Sequence, residues 1–189
     1  MRKNNRFSLS RRKFVSQTLL AMAGISLFPA LFSSRILAQA MPSPTPIKIG
    51  IIGSGRIGGS VGLRWAEAGH EIMFSSRNPD QLGELVAQAG PKASAGFPRQ
   101  AAEFGDIVFI AVPYAAMPQV GEDLAPLMQG KIVIDCGNPY VRRDGEMAAV
   151  ALEKGTGVAS AEFFPGVRLV RAFNALSWTE VNNQAHRDG

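Results

Sequence analysis

Gly53, Gly55 and Gly58 follow directly on the short apolar run Ile47-Lys-Ile-Gly-Ile-Ile52, and no other segment constrains the fold as tightly. Glycines at this spacing turn the backbone out of a strand and bring a helix N-terminus close to a pyrophosphate. No Cβ stands in the way, and the first helical N–H groups lack intrahelical partners. Ile57, Val61, Leu63 and Trp65 supply apolar positions to the helix that follows, and Gly69 closes it. A second strand about 20 residues on is the context that favours a dinucleotide-binding turn over a merely glycine-rich one.

Charge is distributed unevenly. The chain has 20 Lys and Arg against 15 Asp and Glu, but its first forty residues hold seven of the basic groups and no acidic one. The remainder is slightly acidic, so the overall charge implies no nucleic-acid partner and no membrane partner. Ser10-Arg-Arg-Lys-Phe-Val15 is similar to a twin-arginine export motif. An apolar centre of 14 residues follows from Leu19 to Phe32, and Ala38-Gln-Ala40 supplies the small-x-small pattern of a signal-peptidase site. The apolar centre is short of the ~20 residues that span a bilayer, and Gly24 and Pro29 weaken it. Residues 1–40 are therefore expected to be a twin-arginine signal peptide cleaved after Ala40. The protein would be exported to the periplasm with the twin-arginine translocase as a transient partner, and an uncleaved anchor is the alternative. No cysteine lies near the cleavage point, which excludes a lipoprotein anchor, and the single Cys136 cannot form an internal disulfide. It reads as a buried small apolar group, with a reactive thiol as the alternative.

Residues 41–46 form a proline-spaced linker. From Ile47 to Gly189 there are 143 residues, enough for one domain with its own core. Strand signals at Ile47–Ile52, Glu71–Ser75, Lys92–Ala95, Asp106–Val112, Lys131–Asp135 and Leu169–Phe173 alternate with helix signals. The helices are expected over Arg56–Ala68, Asp80–Ala89, Pro98–Phe104, Met117–Met128, Arg142–Lys154, Ser160–Phe164 and Ser177–Ala185. Strands that alternate with helices and read as near-continuous apolar runs predict an α/β fold, a doubly wound parallel sheet of the Rossmann type. Ligands of such sheets sit at the carboxyl ends of the strands. That rule selects Gly53–Gly58, Ser75–Arg77, Ala111–Pro113, Asp135–Asn138 and Asn174.

The end of the second strand decides which nucleotide is expected. NAD sites carry an acidic residue there, on the adenosine ribose. This chain instead reads Phe74-Ser-Ser-Arg-Asn78. A hydroxyl pair followed by a guanidinium suits a 2′-phosphate, because arginine presents a fork of donors that matches phosphate oxygens. NADP is favoured over NAD, with an ordinary exposed arginine as the other reading of Arg77. Arg56 either lies over the adenine or pyrophosphate or is solvated.

The segments Ile51-Ile-Gly-Ser-Gly-Arg-Ile-Gly58, Ala68-Gly-His-Glu71, Ser76-Arg-Asn-Pro79, Ala111-Val-Pro113, Ile134-Asp-Cys-Gly-Asn-Pro139 and Arg171-Ala-Phe-Asn174 together carry a resemblance. The chain resembles the NADP oxidoreductases dependent on the deazaflavin coenzyme F420. It is also similar to the cofactor domains of ferric reductases and of pyrroline-carboxylate reductase. The resemblance implies that Gly53, Ser54, Gly55, Arg56, Ile57 and Gly58 form the pyrophosphate turn. Ser76 and Arg77 would take the 2′-phosphate, and Val112 and Pro113 would shape the wall beside the riboses. Asn138 and the stretch Ala172–Asn174 would lie near the nicotinamide end. Two departures stand out. Gln81 replaces a further basic contact of some members, and the family's chain continues beyond this point. The domain is thus expected to be truncated at its C-terminus relative to the family, with the second substrate's site incomplete or supplied by another subunit of a homo-oligomer.

Hydride transfer needs two rings held face to face and no obligatory acid or base, so no catalytic residue is assigned. The expected activity is hydride transfer between NADP(H) and a small-molecule redox partner, a deazaflavin, flavin or similar compound. The alternative is a non-catalytic NADP(H)-binding or sensing module. His70 reads as a turn histidine and His186 as part of a polar tail. Asp135 either holds the Asn138 loop or simply ends a strand, and no Cys/His/carboxylate cluster suggests a metal site. Replacing Arg11 and Arg12 together by lysine should leave precursor in the cytoplasm. Cell fractionation with detection of the unprocessed form checks this, and normal maturation would refute the twin-arginine assignment.

Overall fold

The computed structural model describes residues 45–185. The proposed signal peptide, linker residues 41–44 and His186 lie outside that range.

Six strands form one sheet: β1 (Lys48–Ile52), β2 (Glu71–Ser75), β3 (Ala93–Gly96), β4 (Ile107–Ile110), β5 (Ile132–Asp135) and β6 (Arg168–Arg171). All pairings are parallel and the order is β3-β2-β1-β4-β5-β6. The chain therefore winds outward from β1 first one way and then the other, as the doubly wound Rossmann order requires. The register sets Gly96, Ser75, Ile52, Ile110, Asp135 and Arg171 in one row across the sheet. Every loop that leaves this row opens on the same edge of the molecule.

Helices cover both faces. They are α1 (Arg56–Glu67), α2 (Gly83–Ala89), α3 (Pro98–Phe104), α4 (Met117–Leu124), α5 (Val141–Asp144), α6 (Glu146–Lys154), α7 (Thr156–Phe163) and α8 (Trp178–Gln184). Alternation along the strands divides the core in two. Ile49, Ile51, Ile72, Phe74 and Phe109 pack with Val61 of α1, Leu85 and Val86 of α2 and Val181 of α8. Ile52, Val108, Ile110 and Val133 face the other way, toward α3, α4, α6 and α7. Phe74 and Phe109 are fully buried, each contributing about 1.5–3 kcal/mol of transfer free energy.

Several elements differ from their sequence-based bounds for local reasons. The expected helix over Asp80–Ala89 opens as a 3₁₀ turn, Pro79–Leu82, before α2 begins at Gly83. The one over Met117–Met128 changes to a 3₁₀ turn at Ala125–Met128, because Pro126 has no N–H to continue the ladder. Gly145, at φ +67°, divides the expected Arg142–Lys154 helix into α5 and α6. The short helix expected at Ser160–Phe164 is longer and begins at Thr156. β6 ends at Arg171 rather than Phe173, since Phe173 adopts φ +66° and cannot stay in the ladder.

The helices on the second face come close enough to touch backbone. A Cβ built on Gly50, in the middle of β1, would overlap the carbonyl oxygen and carbon of Ala101 in α3. Those atoms belong to a rigid helix and cannot swing away. Gly50→Ala should therefore lower unfolding stability by about 1–3 kcal/mol, the usual range for overpacking, as read from urea denaturation. An unchanged midpoint would show that α3 can retreat.

Candidate functional site

The turn from β1 into α1 is built from three glycines with separate tasks. Gly53 sits at φ +92°, where a side chain would be strained and would also press on Ala111 and Val112. A Cβ on Gly58 would overlap the carbonyl oxygen of Gly53, so this glycine lets α1 start directly against the turn. A Cβ on Gly55 would meet nothing within 4 Å. Gly55 is the residue before α1, has no side chain to cap it, and leaves the first amides of the helix facing open space. This is a cradle that a side chain would fill, and it fits a diphosphate.

Ser54 fastens the turn to the neighbouring strand. Its amide donates to the Ser75 carbonyl at 3.0 Å, and its hydroxyl accepts the Ser75 amide at 2.9 Å. The buried Ser75 hydroxyl donates to the Ile51 carbonyl at 2.5 Å. Just beyond, the Ser76 hydroxyl accepts the Asn78 amide at 2.8 Å and so rounds the loop that presents Arg77. Arg77 is exposed and makes no ion pair or hydrogen bond among the described residues.

These loops border a cleft of ≈ 780 Å³ that holds Gly53, Ser54, Gly55, Ser76 and Arg77 on one side and Val112 and Pro113 on the other. Gln81 lines it as well. A second pocket of ≈ 280 Å³ adjoins it across Ala111, Val112 and Pro113 and is lined further by Ile57, Asn138 and Phe173. The two make one crevice along the strand ends, crossing between β1 and β4 where the winding reverses. Its position at the carboxyl ends of the strands suits a dinucleotide.

Of the residues singled out from sequence, Gly53, Ser54, Gly55, Ser76, Arg77, Val112 and Pro113 border the first cleft, and Ile57 and Asn138 the second pocket. Gly58 is buried beneath the turn. Arg56 lines neither; its guanidinium lies 5.7 Å from the centre of the Trp178 ring. Ala172 and Asn174 stand behind the second pocket's wall and brace it. The Ala172 amide donates to the Asp135 carbonyl at 3.1 Å. Asn174 donates to the Gly137 carbonyl at 3.0 Å and accepts the Asn138 side-chain amide at 2.6 Å.

The same wall contains a buried ion pair. Asp135, fully buried, lies 2.9 Å from Arg171 and accepts the Gly137 amide at 2.6 Å. Arg171 donates to the Gly137 carbonyl. The Gly137 peptide is thereby held at both ends, which fixes the floor under Asn138. Asp135 thus holds the Asn138 loop rather than merely ending its strand. Cys136 beside it donates to the Ile110 carbonyl at 3.3 Å. Burial, with the Asp135 charge adding to it, pushes its thiol up to about 12, so it stays protonated and does not act as a thiolate. His70 accepts the Ile47 amide at 3.3 Å in the turn before β2, away from the crevice.

Sequence reasoning missed Tyr140, Arg143 and Leu176 as pocket residues, whereas Phe173 falls within the expected Ala172–Asn174 stretch. It also missed Asp144, which accepts amides from Ala115 at 3.2 Å and Tyr140 at 2.9 Å and grips Arg143 at 2.9 and 2.7 Å. The cue was present in the run Tyr140-Val-Arg-Arg-Asp144 directly after a strand-end loop, but no local rule reveals which arginine turns back.

Known proteins place this geometry in context. Residues 48–139 match the family model described as NADP oxidoreductase, coenzyme F420-dependent. Metalloreductase STEAP3 of Rattus norvegicus is 29% identical over 140 residues, covering 72% of this chain and 26% of that protein. Metalloreductase STEAP2 of Mus musculus is 28% identical over 132 residues, covering 69% and 24%. The chain thus spans about a quarter of the length of these curated relatives. Among solved structures, a hypothetical protein from Sinorhizobium meliloti superposes with a TM-score of 0.57 at 25% identity, over 73% of this chain and 66% of that one. A putative F420-dependent NADP-reductase from Arthrobacter shares the fold, with a TM-score of 0.56 at 19% identity, over 71% of this chain and 65% of that one.

The Asp144 carboxyl gives the loop after β5 a pH signature. Hydrogen bonding from Arg143, helped by the Tyr140 and Ala115 amides, lowers its pKa to about 2. A depressed carboxyl contributes its full stabilisation above the unfolded pKa of about 3.9 and loses it as pH falls toward the folded value. Asp144→Asn should cost about 1.5–3 kcal/mol at neutral pH, the range for hydrogen bonds to a charged group. The difference from wild type should shrink between pH 4 and the folded pKa of about 2, as measured by chemical denaturation across pH. A pH-independent difference would show that the carboxylate charge is immaterial.

Proposed function

We propose that this chain binds NADP(H) along the strand-end crevice and reduces, or is reduced by, a flavin- or deazaflavin-type partner. The observation that carries this reading is Arg77: an exposed guanidinium without a partner among the described residues, just past the end of β2, beside Ser76 and on the rim of the larger cleft. A carboxylate would repel a 2′-phosphate there, whereas a guanidinium offers it paired donors.

The residues divide the work as follows. The α1 amides behind Gly55 hold the diphosphate, and Gly53 and Gly58 let the backbone come near enough to do so. Ser76 and Arg77 hold the 2′-phosphate. Val112 and Pro113 form an apolar wall that orients the sugars and keeps water from the strand ends. Asn138, on its braced loop, meets the polar edge of the nicotinamide. When bound, NADPH supplies a hydride at this end of the crevice. Preorganised walls suffice for such chemistry, since positioning accounts for much of the barrier reduction.

The metalloreductase relatives add ferric chelates to the acceptors worth assaying. Export through the twin-arginine route remains our proposal for the leader, supported by its basic pair, apolar centre and small-residue cleavage pattern. NADPH oxidation followed by absorbance with flavin, deazaflavin and ferric acceptors tests turnover. Binding without turnover on every acceptor would favour the sensing module. For cofactor choice, Arg77→Ala should weaken NADPH binding by about 1.5–3 kcal/mol and leave NADH nearly unchanged, as read by fluorescence titration. Equal losses would refute the 2′-phosphate assignment.

A further inference from the structure

Tyr140 is 55% exposed at the mouth of the smaller pocket. It is also held still. The Arg143 guanidinium lies 5.0 Å from the centre of its ring, and that guanidinium is fixed from three directions. Its Nε and one Nη2 contact go to the two oxygens of Asp144 at 2.9 and 2.7 Å, and Nη2 also donates to the Asn138 carbonyl at 2.8 Å. Asp144 in turn takes the Tyr140 backbone amide at 2.9 Å. Nη1 has no partner among the described residues.

A network of this kind is more than an exposed tyrosine needs in order to rest on a surface. A rigid ring costs little entropy when a ligand arrives, and stacking on an aromatic face accepts any flat partner. Phe173 and Leu176, the latter 45% exposed, line the same pocket and extend its apolar surface. Asp144 locally neutralises Arg143, so the ledge does not act as a simple anion trap. It offers a flat face and, at its edge, the free Nη1 hydrogens for a carbonyl or acid oxygen.

We propose that Tyr140, backed by Arg143, is the ledge on which the ring of the second redox partner stacks. The chain then selects planar heteroaromatic acceptors with oxygen at the ring edge, in preference to metal chelates. This rests on the nucleotide-dependent redox reading above and names the side chains that choose the acceptor.

The full-length chain, saturated with NADP⁺ so that no electrons move, is titrated into FMN while flavin fluorescence is followed. FMN fluorescence should be quenched on binding. Tyr140→Ala should bind FMN about fivefold or more weakly, in line with the loss of one stacking partner, and Tyr140→Phe should restore it. Thermal stability should match wild type in both variants, because only the Tyr140 backbone amide, and not its side chain, hydrogen-bonds in the network. Equal FMN affinity for Tyr140→Ala and wild type overturns the ledge. So does an absence of FMN binding to a protein that still takes NADP⁺. Failure to bind NADP⁺ at all overturns the nucleotide reading, and the ledge with it.

Discussion

The close approach of backbone to backbone around β1 is the constraint on which the rest of this structure depends. Gly50 admits α3, Gly58 admits the first turn of α1, and Gly62 lets α1 settle onto Ile51 and Phe74. With side chains at these places α1 would ride higher on the sheet, and its amides would no longer open beside the ends of β1 and β2. The packing and the opening of the α1 amides are therefore one property seen from two sides. Helix-to-sheet contact normally relies on large apolar side chains, but here α1 buries Gly58, Gly59, Ser60, Val61 and Gly62. Backbone placement takes precedence over buried area in this part of the molecule.

At the far end of the crevice the method of construction changes. There, charge and amide groups replace glycine contacts: the Asp135–Arg171 pair, the Asn138–Asn174 exchange and the Asp144 cluster all terminate on the loop after β5. Asp135 and Asp144 are both essentially buried, and a buried carboxylate persists only when its oxygens are answered. The loop is consequently held by groups that cannot easily exchange partners. Phe173, at φ +66° and packed edge-on against Trp65 and Phe109 at 5.8 and 5.7 Å, closes the wall. It is a bulky residue in a conformation that costs energy, held at a candidate site by its surroundings.

The parts of this arrangement that were legible in the sequence are those encoded by near neighbours. The glycine turn, the missing carboxylate after Phe74 and the apolar runs of the central strands each lie within a few residues, so spacing alone exposes the sheet and one end of the crevice. Helix bounds were less legible, because Pro126 and Gly145 act through single backbone positions. The β5 end was hardest. Asp144 reaches the Ala115 amide across 29 residues, and Arg171 reaches Gly137 across 34. Arg56 shows the converse limit, since its place in the glycine motif says nothing of the Trp178 ring it meets. The family match, confined to residues 48–139, likewise stops short of β6 and the residues around Phe173.

The sheet's topology also governs how this chain acquires its shape. No two hydrogen-bonded strands are joined by a hairpin, since every pairing in the sheet is parallel. The ladder between β1 and β4 must wait until the polypeptide has travelled from Ile52 to Ile107. Such non-local closure makes folding slow compared with that of helical bundles. Until it closes, Ile51, Phe74 and Phe109 remain in contact with water. The protein's period of greatest exposure to aggregation is thus set by its central strand, well before any ligand has a place to bind.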